Sequence, residues 1–378
     1  MHPIKILIFI GSLTVGGAER VVVALSRYLV NQGYSVTVVT MNGMERDFYT
    51  LDDRVRRTCL GLAGENKGIV KITANIRRVM ALRAVIKNEQ PDVVLGMMTT
   101  EAILSILACL GLSTKVVVSE RNYPDQKEVV TQWRILRKII YGFADGHVAQ
   151  TEKASQWLKE HTRSKTVVVI PNSIKWPIPS AKPVIDPSEL LKADDKIILA
   201  VGSLSRQKGF DLLVEAFSGI CSEHPDWKLV ILGEQGDKNS EKHQRKKIER
   251  QVKESGLSGR VHIPGRVGNV GDWYQRANLF VLSSRYEGFP NVVLEAMVAG
   301  CPCIAFDCDT GPRDIIENGV NGILVPAGDI KALACEMETL MKDSEVRSIL
   351  GSRAVQVRER FAEDRVLGMW ENLIQELV

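Results

Sequence analysis

Short runs of apolar, mostly branched residues recur along the chain. Between them lie longer stretches whose apolar positions return every three or four residues. The runs at 4–10, 36–40, 93–96, 115–119, 146–150 and 166–170 predict strands, and the stretches at 18–31, 72–90, 100–110, 133–143 and 152–161 predict helices between them. Apolar strands separated by amphipathic helices predict a parallel sheet covered on both faces. The pattern then breaks at Trp176-Pro177-Ile178-Pro179-Ser180-Ala181-Lys182-Pro183, which has linker composition. It restarts with strands at 196–201, 227–233, 261–264, 279–283 and 302–306, among helix-like stretches at 212–222, 240–255, 270–276, 291–299, 330–342 and 344–361. The fold class expected is α/β, with two Rossmann-like domains facing a central cleft. The first covers residues 1–177, a linker covers 178–194, and the second covers 195–360. In such sheets ligands bind beyond the carboxyl ends of the strands, so the loops after the strands are where chemistry is expected.

Composition narrows the class. At 378 residues the chain is long for one core and suits two, and 45% hydrophobic with 25% charged residues is ordinary for a globular protein. No apolar run reaches the roughly 18 residues that span a bilayer. The first residues run directly into a strand and lack a signal-peptide pattern, which predicts a cytoplasmic protein. Seven cysteines with irregular spacing argue against a disulfide framework. Cys301, Cys303 and Cys308 cluster, but their spacing is poor for zinc and no histidine is near, so they read as small core residues. Charge is uneven. Residues 1–180 hold 24 Lys and Arg against 15 Asp and Glu, and the remainder hold 25 against 30. A basic first half points to an anionic membrane, an anionic acceptor or nucleic acid.

Three loops carry candidate chemistry. After the first strand comes Gly11-Ser12-Leu13-Thr14-Val15-Gly16-Gly17-Ala18-Glu19-Arg20, where glycines let backbone N–H groups approach an anion at a helix start. It is neither the dinucleotide fingerprint nor a P-loop. After 196–201 comes Gly202-Ser203-Leu204-Ser205-Arg206-Gln207-Lys208-Gly209, whose two cations are placed to hold a diphosphate and to stabilise its charge as it leaves. After 279–283 comes a loop with Glu287, Gly288, Phe289 and Pro290, then an apolar helix beginning near Asn291. The free N–H groups at 289–293 could take phosphate oxygens. Glu295 lies one turn beyond Asn291 among apolar residues. A buried carboxylate needs a partner, and two ribose hydroxyls would serve.

Glu287 and Glu295 form E-x7-E around Gly-Phe-Pro-Asn, which resembles the signature of GT4 family glycosyltransferases. The likeness covers nearly the whole chain: Gly16-Gly17-Ala18-Glu19, Pro171-Asn172, Lys208-Gly209, E-x7-E, Gly311-Pro312-Arg313-Asp314 and Gly319-Val320-Asn321-Gly322 stand in family order. Ser119-Glu120-Arg121-Asn122 is similar to bacterial members that extend lipid-linked or surface polysaccharides, several of which transfer N-acetylhexosamine such as GalNAc. The resemblance implies the GT-B fold, with residues 361–378 packing back on the first domain. It implies retention of configuration, a UDP-linked sugar donor, and no metal or other cofactor. Lys208 with Arg206 would bind the donor diphosphate, and Glu295 the ribose. Glu287 would lie near the donor sugar or its phosphates. Gly202, Gly288, Phe289, Pro290, Asn291 and Val292 would line the donor site. Gly16 and Gly17 would face the donor phosphate or the acceptor, with Glu120, Arg121 and Asn122 on the acceptor side. Two positions depart from the family pattern. Ser203 stands where many relatives carry arginine, and Glu120 or Arg121 where many carry a histidine, whose role is not carried over.

The expected acceptor is a glycan on polyprenyl diphosphate. The basic residues Lys67, Lys71, Arg77, Arg78, Arg83 and Lys87, with the basic, apolar stretch 133–141, suggest binding to an anionic membrane surface, peripheral on its inner face. Alternatives are a non-hydrolysing UDP-sugar epimerase, or a transferase of hexose to a soluble acceptor. A nucleic-acid partner leaves Glu295 and the glycine loops unexplained, and no RNP, zinc-finger or helix-turn-helix pattern is present.

Overall fold

The computed structural model describes residues 3–14, 16–64, 69–123, 125, 131–233 and 239–378. The chain forms two compact units, Met1–Ser173 with Glu363–Val378, and Ile174–Ala362.

The first unit has strands β1 (Lys5–Ile10), β2 (Ser35–Thr40), β3 (Arg56–Cys59), β4 (Val93–Met97), β5 (Lys115–Ser119), β6 (Gly146–Ala149) and β7 (Val167–Val169) in the order β3-β2-β1-β4-β5-β6-β7. Every ladder is parallel; Ile6, for example, pairs with Val36 on one side and Val93 on the other. Alternate residues serve opposite faces: Ile6 and Ile8 enter one buried core, Leu7 and Phe9 the other. This is why the strands read as unbroken apolar runs. Helix Gly17–Asn31 covers the first face, and helices Thr99–Cys109 and Glu152–His161 the second. β3 escapes the hydrophobic pattern because it is a sheet-edge strand of mostly polar residues, Arg-Arg-Thr-Cys.

The last helix, Glu363–Gln375, belongs to this unit. Val366, Leu367, Trp370, Leu373 and Ile374 fill the same core as Val22 and Leu25. Arg27 donates to Glu363 at 3.0 Å, and the hydroxyls of Tyr28 and Tyr34 donate to Glu371 at 2.8 and 3.2 Å.

The second unit has β8 (Lys196–Val201), β9 (Trp227–Leu232), β10 (Val261–Gly265), β11 (Leu279–Leu282), β12 (Cys303–Asp307) and β13 (Ile323–Pro326), ordered β10-β9-β8-β11-β12-β13 and again parallel. The stretch 178–194 is packed on this unit rather than hanging as a linker. Ile178, Ile185 and Leu191 join its core, and Ile185 exchanges hydrogen bonds with the Asn269 amide and accepts from the Trp273 indole at 3.0 Å. The helix expected over 344–361 is two, Ser344–Ala354 and Val357–Arg360. Cys301, Cys303 and Cys308 are buried, their thiols donating to backbone carbonyls, and burial raises all three pKa values.

In each sheet the order reverses once, between β1 and β4 and between β8 and β11. The helix after β8, Phe210–Ile220, packs on one core of the second unit; the helix after β11, Asn291–Val298, packs on the other. The two loops therefore part company as they leave adjacent strands, and the opening between them is a ready ligand site.

The first unit needs its last helix. Trp370→Ala should lower its stability by about 3–5 kcal/mol through the cavity left in the core, read as an earlier urea transition for that unit. A transition unchanged from wild type would show that the helix does not support the core.

Candidate active site

The loop after β8 narrows into a short turn, Arg206–Lys208, closed by Gly209 in the left-handed region (φ 63°). Glycine is required there twice over, since a Cβ would lie 2.0 Å from the Ser283 carbonyl oxygen. The loop after β11 is stapled to this turn. The Ser283 hydroxyl donates to the Lys208 carbonyl at 2.9 Å, the Arg285 N–H to the Gln207 carbonyl at 2.8 Å, and the Gln207 amide to the Tyr286 carbonyl at 2.9 Å. Arg285 adds a two-pronged pair to Asp211, both contacts at 2.9 Å, and donates to the Arg206 carbonyl at 2.7 Å. Burial raises the Asp211 pKa, and Arg285 more than offsets that, so the carboxyl sits below its ordinary value.

Within this frame the Lys208 ammonium lies 2.6 Å from Glu287 Oε1, their side chains 17% and 6% exposed. The Ser284 hydroxyl donates to the same oxygen at 2.6 Å, and the Thr310 hydroxyl donates to the Glu287 carbonyl. The geometry unites Lys208 and Glu287, 79 residues and three strands apart in sequence, in one charge-assisted contact. Arg206, one turn residue away, is exposed, as is Ser203. Gly202 ends β8 and packs against the Lys208 stem.

Gly288, Phe289 and Pro290 lead from Glu287 into helix Asn291–Val298, which Pro290 caps. Phe289 and Pro290 are buried; Gly288, Asn291 and Val292 are half-buried. Gly311, at φ 97°, backs this entry, where a Cβ would meet Pro290 at 2.5 Å. The first-turn N–H groups of a helix lack intrahelical acceptors and carry the positive end of its dipole. Glu295, 3% exposed, accepts a 3.0 Å hydrogen bond from the buried Tyr274 hydroxyl. Tyr274, Ser284, Thr310 and the Gln207–Arg285–Asp211 staple were not legible as site residues. Their signal is spatial, because they come from three separate loops and two helices.

In the first unit, Gly16 and Gly17 start helix Gly17–Asn31, and the Tyr49 hydroxyl reaches the Gly16 carbonyl at 3.4 Å; Val15 and Lys67 lie outside the described residues. After β4, Met98 is held at φ 80°, ψ 159°, a region costly for any side chain, about 1–3 kcal/mol. Glu120, Arg121 and Asn122 follow β5, but the structure separates them. Glu120 is buried and accepts from Thr99 at 2.9 Å and from Tyr141 at 2.5 Å, with Arg137 at 3.5 Å. Arg121 is buried, donates to Asn172 and to Ser119, and its pKa is pushed down to about 9 by burial. Asn122 alone stays half-buried, its amide 3.8 Å from the Met98 sulfur.

Comparison with known proteins agrees with this geometry. The family model "Glycosyltransferase Family 4" matches residues 15–175, and "Glycosyl transferases group 1" matches 181–357. A Haemophilus influenzae protein named only as an uncharacterised glycosyltransferase is 24% identical over 98% of this chain and 99% of its own. A Campylobacter jejuni enzyme, an α-1,4-N-acetylgalactosaminyltransferase named for a diNAcBac-PP-undecaprenol substrate, is 27% identical over 99% of both chains. Among solved structures, sucrose-phosphate synthase from Thermosynechococcus elongatus superposes with a TM-score of 0.84 at 21% identity over 99% of both chains. Anabaena HepE, solved with UDP and glucose, superposes with 0.78 at 18% over 99% of this chain and 100% of its own.

Two parallel-sheet α/β domains with this site define a glycosyltransferase of the GT-B fold. Within that class the chain is a glycosyltransferase with a family 4 domain over residues 15–175 and a group 1 domain over residues 181–357.

Gly209→Ala should lower the melting temperature of the second unit, because both φ and the Ser283 carbonyl resist a Cβ; the expected cost is about 1–3 kcal/mol or more. Thermal unfolding identical to wild type would mean the Lys208 turn is not pinned as described.

Proposed function

We propose that the chain moves a sugar, an N-acetylhexosamine by preference, from a UDP-linked donor onto a glycan carried on polyprenyl diphosphate, retaining the anomeric configuration and using no metal. Such an acceptor would bring the chain to the inner face of the cell membrane. The observation that supports this most is the Lys208–Glu287 contact of 2.6 Å at the switch point of the second sheet, next to the N-terminus of helix Asn291–Val298. The Campylobacter relative's name supports the acceptor class and the sugar, and the UDP-bound neighbour supports the nucleotide.

In this reading the donor diphosphate lies between Lys208 and the helix start, with exposed Arg206 at its outer side. As the sugar's bond to the diphosphate breaks, negative charge grows on the leaving phosphate. A fixed ammonium and oriented N–H groups stabilise that charge without reorganising. Glu287 holds the ammonium in place, and Ser284 holds Glu287. Glu295, fixed by Tyr274, takes the ribose hydroxyls, which sets the nucleotide's position relative to Lys208.

Calorimetry with UDP, GDP and ADP in the presence of EDTA should show binding of UDP alone; silence with all three would remove the donor assignment. Lys208→Ala should cost about 2–4 kcal/mol of transition-state stabilisation, roughly 30- to 1000-fold in kcat. Wild-type turnover in that variant would refute the role given to Lys208. Glu295→Ala should act on nucleotide affinity instead, and an unaltered UDP Kd would count against a ribose contact.

A further inference from the structure

Helix Thr131–Ile140 carries an apolar stripe on its outer face. One of its two arginines points inward: the Arg137 side chain is 2% exposed, 3.5 Å from Glu120 and 4.5 Å from the centre of the Trp157 ring. Three of its four large aliphatic residues point outward, while the fourth, Ile140, packs with Trp133 on the core. Ile135 is 54% exposed, Leu136 36% and Ile139 45%, and Phe143 one turn further on is 60% exposed. At about 100° per residue, the direction opposite Arg137 falls between Ile135 and Ile139. A helix whose outer face meets only water has the reverse arrangement.

Two cations flank this stripe. Arg134 and Lys138 are exposed and one turn apart, directly beside Ile135 and Ile139. Helix Ile69–Glu89 packs on the same core, and on it Ile76 and Met80 are 58% and 61% exposed with Arg77 exposed between them. No helix of the described residues is long and apolar enough to cross a membrane.

We propose that the outer face of helix Thr131–Ile140, with Phe143, docks on an anionic lipid bilayer, the helix lying in the plane of the surface. An amphipathic helix with aliphatic residues at its pole and cations at its side fits the headgroup boundary, burying the first and pairing the second. A second copy packed about a two-fold axis would set Arg134 and Lys138 against their own kind, whereas anionic headgroups neutralise them. The choice of lipid as occupant rests on the reading of a membrane-borne acceptor.

The test is sedimentation of the full chain with phosphatidylglycerol–phosphatidylcholine vesicles, with neither donor nor acceptor present. The chain should sediment at low salt. Ile135→Gln with Ile139→Gln should weaken partition about tenfold or more, and Arg134→Gln with Lys138→Gln should weaken it about tenfold on the anionic vesicles only. These side chains are exposed, so circular dichroism should be unchanged; Phe143→Gln is an independent variant expected to weaken binding too. The proposal is overturned if the wild-type chain stays in solution, or if the isoleucine pair can be replaced with no loss. It is also overturned if light scattering shows a dimer that the isoleucine variant splits. A chain that sediments yet transfers nothing to a lipid-linked acceptor supports the docking face while the acceptor reading fails.

Discussion

The reversal of strand order between β8 and β11 is the constraint on which the site depends. Both strands are parallel and adjacent, yet the chain leaving β8 turns to one face of the sheet and the chain leaving β11 to the other. The loops leave adjacent strands in opposite directions, and hydrogen bonds between them hold them together. The Gln207–Tyr286, Ser283–Lys208 and Arg285–Asp211 contacts do this, and the Ser283 hydroxyl takes the Lys208 carbonyl directly. What remains between the loops is a lysine, a carboxylate and a helix start.

The Lys208–Glu287 pair is poor evidence for stability. Removing two charges from water costs several kcal/mol per ion, and mutual attraction with good geometry roughly repays it. The Ser284 hydroxyl satisfies the carboxylate further, and the lysine is less buried than its partner. An ammonium held this way keeps one side toward solvent and loses little rotamer freedom when an anion arrives. Position, rather than stability, is what such a pair supplies. Tyr274 does the same for Glu295 with a neutral donor.

The parallel sheets were legible because two buried faces give unbroken apolar strands, and the E-x7-E spacing was legible because loop and helix are contiguous in sequence. β3 was not, since an edge strand of arginines and threonine leaves no apolar trace. The segment 178–194 read as a linker because it continues a proline-rich stretch, but Ile185 and Leu191 are scattered apolar anchors, and the partners of Ile185, Asn269 and Trp273, lie over eighty residues away. Composition records flexibility of a segment and not what it packs against. Glu120 and Arg121 misled in the opposite sense. Charged residues after a strand suggest ligand contact, yet here Tyr141, Arg137 and Asn172 take them into the domain.

That burial changes what the first unit offers at its own switch point. The charges behind β5 hold β5, β6 and β7 together at their carboxyl ends: Arg121 binds Asn172, and the Gln150 amide binds the same Asn172 oxygen at 2.8 Å. A buried guanidinium with a depressed pKa and no carboxylate contact among its described hydrogen bonds resists replacement by lysine, because only its planar fork reaches Ser119 and Asn172 together. Around these buried charges stand the half-buried Asn122, the strained Met98 backbone and the Gly16–Gly17 helix start, against which the Glu19 carboxylate lies. Cations serve the second unit's loops from the front, and serve the first unit's from behind. Buried charge thus stiffens the carboxyl ends of the first sheet, whereas in the second unit the Lys208–Glu287 pair stands within the loops themselves.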